Sequence, residues 1–298
     1  MQMHLQGWVR MAGVETEHDT IKFSLILATV GRNDELARFL RHLDQQTHRN
    51  FELIIVDQNP DGFLEQLIRQ YQGRFSLLHL RSERGLSRAR NVGLQHFSGD
   101  VVAFPDDDCW YAPDTLQKIA LAFQENPNCN GLAGRAADDS RPGAFSWLSD
   151  KSGWFDKRSV WRHGISYSIF LRDSVVRRVG LFDELLGVGA GHGKDSGEET
   201  DYLIRAIDSG FRIYYCRELC IFHPYPAGNY DGDLIKRGYR YSIGWGYVLR
   251  KHQYPFWFVC YCWLRSLGGA VVSLLAFNFP KSRYHFAVLK GRVLGWLG

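Results

Sequence analysis

Three consecutive carboxylates, Asp106-Asp107-Asp108, follow the apolar run Val101-Val102-Ala103-Phe104-Pro105. A water-excluding strand that delivers three negative charges to one edge is self-repelling unless a cation sits nearby. Oxygen ligands of this kind suit a divalent ion, Mg²⁺ or Mn²⁺, which is rarely caged by protein alone and takes further ligands from substrate phosphates. At the carboxyl end of a strand in an open α/β sheet, this is where a phosphorylated ligand binds. The competing reading is an acidic turn that holds no metal.

A second acidic group, Glu198-Glu199, opens the segment Glu198-Glu199-Thr200-Asp201-Tyr202-Leu203-Ile204-Arg205. Acids in a helix's first turn are favoured by the macrodipole whatever else they do. Here they follow the glycine-dense run 187–197, which must be mobile or closely approached by a ligand. A loop that brings a carboxylate to a rim is typical of enzymes that close over substrate, so one of the pair is a candidate acid or base. Asp201 reads as a helix-turn acid. The glycine run is not a dinucleotide fingerprint, since its spacing differs and no strand leads straight into it. Cys216, Cys220 and His223 mimic half of a zinc site but lack a second ligand pair.

Composition bounds the rest. With 298 residues, 45% of them hydrophobic, the chain can bury one large α/β core plus an appendage. A formal charge of +4 without a dense Lys/Arg block does not suit nucleic acid. It leaves small anions or a membrane face as partners. The six cysteines show no framework spacing, as expected in a reducing cytosol. Residues 1–20 carry no basic region followed by an apolar run and a small-residue cleavage site, so no signal peptide is expected.

The elements that must position the acids alternate. Residues 23–29 and 51–57 read as buried strands. Between them Leu36, Phe39, Leu40 and Leu43 have amphipathic-helix spacing. Helical periodicity returns at Phe63, Leu64, Leu67, Ile68 and Tyr71, before a third strand at 75–80. A glycine- and serine-opened helix, 85–94, and the turn Ser98-Gly99-Asp100 lead into the acidic strand. Such alternation predicts a parallel, doubly wound sheet with helices on both faces and with Thr29, Asp57 and Asp106 on one rim. Further on, the spacing predicts a helix over 114–124, strands near 131–135 and 166–171, and a helix over 173–179. The Gly/Trp-rich middle, 141–163, resists assignment.

The tail, 256–279, is apolar and aromatic, but Arg265 lies near its centre, costing about 2.5 to 3.5 kcal/mol on an insertion scale. With Lys281, Arg283, Lys290 and Arg292 interleaved among aromatic and aliphatic residues, the tail suits helices lying on an anionic membrane surface. Packing on the catalytic domain, or in a homo-oligomer interface, is the alternative.

Four segments together resemble the inverting family 2 glycosyltransferases of the GT-A fold: 24–32 (Ser-Leu-Ile-Leu-Ala-Thr-Val-Gly-Arg), Ile54-Ile55-Val56-Asp57, 85–93 leading into Asp106-Asp107-Asp108, and 197–205. The resemblance covers about 22–225. It implies a GT-A (Rossmann-like) mixed, mostly parallel sheet over 21–228, with a nucleotide-binding half at 21–113 and an acceptor half at 114–228. Outside it fall an N-terminal extension, 1–20, and a C-terminal helical region, 229–298. It further implies that Thr29, Gly31 and Asp57 contact base and ribose, and that Arg84 or Arg90 supports the base or diphosphate. Asp106-Asp107-Asp108 matches the family's Asp-X-Asp, the last acid reaching Mn²⁺ or Mg²⁺ and the first leaning toward the ribose. His223 resembles a third metal ligand of some GT-A enzymes, although a histidine at a strand end is as often structural. Glu199 aligns with the general base, usually the Asp of a Glu-Asp pair, with Glu198 beside it. The extra methylene is a departure from the pattern.

The implied activity is transfer of a sugar from a nucleotide donor, UDP-linked by default, to a hydroxyl of a lipid-linked glycan in bacterial polysaccharide synthesis. The implied place is the cytoplasmic face of the membrane. Two rivals remain. A sugar nucleotidyltransferase wants a Gly-rich phosphate loop directly after strand one, which Thr29-Val30-Gly31-Arg32-Asn33 does not supply. A silent nucleotide-sugar-binding or membrane scaffold subunit would keep the fold without turnover, and intact acids argue against it.

Overall fold

The computed structural model describes residues 21–141, 143–145, 151–225 and 229–298. The expected extension 1–20, positions 142 and 146–150 of the unassigned middle, and 226–228 at the expected domain boundary lie outside the described residues. The chain forms two compact units. The first takes in the described residues of 21–83, 89–181 and 202–225; the second takes in 84–88, 182–201 and 229–298.

The first unit is built on one mixed sheet. Its strands are β1 (Phe23–Thr29), β2 (Phe51–Asp57), β3 (Ser76–Arg81), β4 (Val101–Ala103), β5 (Gly131–Ala137), β6 (Gly153–Trp154), β7 (Ile169–Arg172) and β8 (Ile213–Phe222), in the order β3-β2-β1-β4-β7-β5-β8-β6. β1 runs parallel to β2 and β4, β2 to β3, and β5 to β8, while β7 is antiparallel to β4 and β5. The helices before residue 229 are α1 (Asn33–Asp44), α2 (Glu65–Tyr71), α3 (Leu86–Gly93), α4 (Thr115–Glu125), α5 (Val160–His163), α6 (Asp173–Val179) and α7 (Glu198–Asp208), with 86–88 of α3 and 198–201 of α7 falling in the second unit.

Period-2 alternation explains why helices are needed on both faces. Phe23, Leu25 and Leu27 of β1, with Phe51, Leu53 and Ile55 of β2, share one core with Leu36, Phe39 and Leu40 of α1, Leu67 and Ile68 of α2 and Ile119 and Phe123 of α4. The alternate residues Ile26 and Val56 face Gly93 of α3, where an added Cβ would run into both side chains. Gly99 has the same restriction from backbone: a Cβ there would lie 2.7 Å from Lys22 O and Ser24 N. Its own amide donates to Ser24 Oγ at 2.8 Å, so the turn before β4 is stitched to the start of β1.

Several expected bounds shift. β4 stops at Ala103, and the acids follow in a turn in which Asp106 bridges Ala28. The strand expected over 166–171 begins with a 3-10 turn, Ser166–Ser168. The unassigned middle supplies β6, which pairs with Tyr214 and Tyr215 of β8. β8 itself was hidden because exposed Arg217 and Glu218 interrupt its apolar pattern, at an irregularity opposite Gly134 and Arg135.

The second unit holds α8 (Gly232–Lys251), α9 (Phe256–Leu275) and α10 (Phe279–Leu297). α8 and α10 approach closely through small residues: Gly291 lies against Tyr239 O and Gly295 against Ile243 O. Phe258, Val259, Cys262, Ser266, Ala270 and Ser273 form the buried stripe of α9, and Ser282 Oγ of α10 donates to Ala270 O at 2.9 Å. Apart from exposed Arg265, the remaining surface of α9 is largely apolar and open, with Phe256, Trp257, Leu264, Val272 and Leu275 all exposed. Among the described residues α9 is the one helix long and apolar enough, by length and composition, to cross a membrane.

Candidate active site

The parallel register sets Thr29 beside Asp57, and the bridge from Ala28 to Asp106 brings the acid run to the same sheet edge. From there each acid takes a different partner. Thr29 Oγ1 donates to Asp107 Oδ2 at 2.7 Å, and Arg32 Nη1 donates to Asp107 Oδ1 at 2.9 Å while also pairing with Asp108. Asp106 Oδ1 meets Arg90 Nη2 at 3.1 Å, and the Arg90 side chain is 1% exposed. Asp108 Oδ1 lies 3.0 Å from His223 Nε2. Ligand atoms of Asp106, Asp108 and His223 all fall within 4.8 Å of one another.

This donor set fits a hard divalent cation: two carboxylates and one imidazole, with Asp107 turned away and held by Thr29 and Arg32. His223 Nδ1 donates to Pro224 O at 2.7 Å, which leaves Nε2 facing Asp108, as an outer hydrogen bond does for a ligating histidine. The Tyr167 ring stacks on the imidazole, with centroids 4.7 Å apart and planes 11° from parallel.

Electrostatics follow from crowding. Burial, opposed by Arg90 and reinforced by Asp108, pushes the Asp106 carboxyl up to about 6. Burial likewise raises Asp107 above the ordinary carboxylate range, against Thr29 and Arg32. At Asp108 burial is outweighed by the hydrogen bond and charge of His223 and by Arg32, so its carboxyl is held low. His223 is raised in turn, because Asp108 outweighs the cost of enclosing the imidazolium. Three carboxylates here share two guanidinium groups and one imidazole, and a cation held by Asp106, Asp108 and His223 would take over part of that pairing.

Asp57 is buried and its carboxylate is heavily used. Oδ1 accepts from Asn59 N and Nδ2, both at 2.8 Å, while Oδ2 lies 2.8 Å from Arg81 Nη1 and 3.1 Å from His79 Nε2. Gly31 adopts φ +70°, and its amide donates to Asn59 Oδ1, which ties the turn after β1 to the turn after β2. Thr29, Gly31, Asp57, Arg90, Asp106, Asp107, Asp108 and His223 therefore share the first unit. Arg84, the alternative to Arg90, is exposed and belongs to the second unit.

Glu198 and Glu199 also belong to the second unit, in the first turn of α7. Glu198, Thr200 and Asp201 are buried there, and Glu199 is the partly exposed member of the turn. Asp201 lies in the helix's first turn, as the spacing suggests, but its side chain is 0% exposed and meets Lys251 and His252. Nor is the glycine run simply loose. Arg240 Nε lies 2.7 Å from Asp195 Oδ2, and Ser196 Oγ donates to Tyr241 O at 2.7 Å.

Sequence reasoning passed over Arg32, His79, Arg81 and Tyr167. Arg81 and His79 were recoverable in part, since strand alternation places them with Leu77 on one face of β3 beside Asp57. Tyr167 carries no local signal, because its meeting with His223 depends on chain ends 56 residues apart in sequence.

The model of the family described as "Glycosyl transferase family 2" matches residues 24–180, more than half of the chain. The chain belongs to glycosyl transferase family 2. This family 2 chain is 35% identical over 109 residues to an uncharacterized glycosyltransferase of Haemophilus influenzae, an alignment that takes in 36% of each protein. It is 23% identical over 280 residues to glycosyltransferase AglE of Haloferax volcanii, covering 89% of this chain and 83% of that one. In architecture it is similar to the mannosyltransferase PcManGT from Pyrobaculum calidifontis, solved in complex with GDP-Man and Mn²⁺. The TM-score is 0.62 at 15% identity, over 97% of this chain and 92% of that one. The mixed, mostly parallel sheet flanked by helices is the GT-A arrangement expected from sequence.

Proposed function

We propose that the protein is an inverting, divalent-metal-dependent glycosyltransferase that moves a sugar from a nucleotide donor to a hydroxyl of a lipid-linked glycan. The observation that carries this reading is the Asp106, Asp108 and His223 group at the rim of a family 2 sheet. Support for the donor class comes from the mannosyltransferase relative in fold, whose structure holds GDP-Man with Mn²⁺. UDP-linked sugars are the first donors to test, followed by GDP-linked ones.

In this reading Asp106, Asp108 and His223 hold Mn²⁺ or Mg²⁺, which offsets charge on the departing nucleoside diphosphate. Thr29 and Arg32 fix Asp107, Gly31 leaves open backbone for the nucleoside, and Asp57 with Asn59 shapes the base and ribose subsite. Arg90 holds Asp106 in place from the buried side. Glu199 accepts the acceptor hydroxyl's proton as that oxygen bonds to the anomeric carbon and the bond to the diphosphate breaks. One displacement of this kind inverts configuration.

The open face of α9 supports attachment to the cytoplasmic face of the membrane. From 234 to 298 the chain contains no Asp or Glu but carries Lys236, Arg237, Arg240, Arg250, Lys251, Arg265, Lys281, Arg283, Lys290 and Arg292. Lys251 and Arg240 are paired with acids of the 182–201 segment; the other cations beside exposed apolar side chains suit an anionic lipid surface, where a lipid-linked acceptor resides.

Turnover of UDP-hexoses and GDP-mannose with and without Mn²⁺, in wild type and Glu199→Gln, tests the reading. Loss of turnover of about 10²- to 10⁴-fold in Glu199→Gln, with donor binding retained, is the expected result. Turnover that survives both chelation and this substitution overturns it. Donor binding without turnover in the wild type favours the scaffold rival.

A further inference from the structure

Asp201 lies two residues past the proposed base Glu199, about 200° around the helix at 100° per residue, so the two side chains leave opposite sides of α7. Its fully buried carboxylate is met by two side chains at the C-terminal end of α8: Lys251 Nζ at 2.7 Å and His252 Nε2 at 2.8 Å, both on Oδ1. Lys251 also reaches Asp183 Oδ2 at 2.7 Å, and Tyr247 Oη donates to that oxygen at 3.3 Å. The ammonium is thereby shared between the residue that starts the 182–201 segment's turn and the acid that ends it. Burial disfavours the ammonium, yet the two carboxylates hold Lys251 above the ordinary lysine range.

The same helix grips the segment further up. Arg240 pairs with Asp195, Ser196 donates to Tyr241 O, and Gly197 leaves room for Val248 at a site where an added Cβ would lie 3.1 Å from its methyl. Glu199 is thus preceded by Asp195 to Gly197 and followed by Asp201, each held by α8. A carboxylate that must accept a proton in one geometry gains from a backbone fixed on both sides.

We propose that Asp201, clamped by Lys251 and His252, is the positioning residue for the base Glu199. This rests on Glu199 being the base. Asp201 is sealed from solvent and does not take the proton; it sets the rotation of the first turn of α7, so that Glu199 presents its carboxylate outward. Cutting the clamp loosens the base without touching donor or metal ligands, which lie on other elements of the sequence.

The experiment compares the full-length wild type with Asp201→Asn, His252→Gln, Lys251→Met and Lys251→Arg. It reads kcat and KM for donor hydrolysis, using UDP-GlcNAc or GDP-mannose, whichever the wild type turns over. Mn²⁺ affinity is measured in parallel by the loss of the free-ion spin-resonance signal, and folding by circular dichroism. Expected are a kcat at least tenfold lower in Asp201→Asn and Lys251→Met, donor KM and Mn²⁺ affinity within about twofold of wild type, and recovery of most of kcat in Lys251→Arg. His252→Gln, which keeps a side-chain amide donor, falls between them and serves as the test should Asp201→Asn fail to fold. A folded His252→Gln and Lys251→Met pair with wild-type kcat overturns the proposal, as does a loss that appears equally in KM and Mn²⁺ affinity. Glu199→Gln separates the two ideas: if it keeps turnover, the base assignment fails. If it is inactive while the clamp variants keep full kcat, the clamp alone fails.

Discussion

His223 Nε2 faces Asp108 Oδ1 at 3.0 Å while its Nδ1 donates to the carbonyl of Pro224, so one imidazole joins the end of β8 to the turn after β4. Both atoms facing each other are cation ligands in kind, and Asp108 and His223, with Asp106, would hold a divalent ion there. Titration with Mn²⁺ is expected to show one tight site in the wild type. Asp108→Asn and His223→Ala should weaken it by tenfold or more, and Tyr167→Leu, which removes the ring stacked on His223, by less. Chelation should abolish turnover, and re-added Mn²⁺ should restore it. Unchanged affinity in Asp108→Asn would remove the metal from the mechanism.

Arg90 sits buried against Asp106, so deleting its charge strands a carboxylate that is already hard to ionise. Arg90→Met is expected to cost about 1 to 3 kcal/mol in urea unfolding, less than for a fully buried pair because Asp106 is partly exposed. The double variant with Asp106→Asn should recover part of that loss, because no unpaired charge is left behind. Equal destabilisation in single and double variants would show that Arg90 acts through packing on Phe104, which its guanidinium overlies at 5.9 Å.

Gly99 has backbone on the side where a Cβ would point. Gly99→Ala is expected to lower stability by about 1 to 3 kcal/mol through overpacking at the β1 and β4 ends. Thermal unfolding measures it, and a variant as stable as wild type would mean that the turn relaxes freely.

His163 is buried between Phe155 and Tyr215, stacked on the latter at a centroid distance of 4.2 Å. Burial, with the charge of Arg162, lowers its pKa to about 4. The folded state therefore resists a proton that the unfolded chain accepts near 6.5, so this stabilisation is complete above 6.5 and is lost as pH falls from there to about 4. The wild type should lose unfolding midpoint across that window, and His163→Phe should lose less. Parallel curves for the two proteins would refute the assignment.

Leu264 and Leu275 are exposed on α9 with Arg265 between them. Flotation with vesicles containing anionic phosphatidylglycerol is expected to carry the wild type and to leave a Leu264→Glu, Leu275→Glu variant behind, with binding weakened by salt. A concentration-dependent dimer that the same substitutions abolish, with no flotation, would assign the face to self-association instead.

The alternating strands and helices from 23 to 137 were legible because each signal is local: period 2 in β1 and β2, period 3.6 in α1 and α4, and a glycine where the turn before β4 meets backbone. The acid run was legible for the same reason, since three adjacent carboxylates need no partner to be noticed. What sequence left open was which partners those acids take. Asp107 goes to Thr29 and Arg32 and Asp108 to His223, pairings set by parallel register and by the return of β8, more than 100 residues after the acids.

Asp201 shows the limit most plainly. By its neighbours it is an acid in a helix's first turn, and only the packing of α8 turns it into a buried anchor for Lys251 and His252. Local periodicity fixes which face of an element is apolar, because that depends on residues a few positions apart. Which charged side chains meet depends on how distant elements pack, and one sequence window carries no record of that.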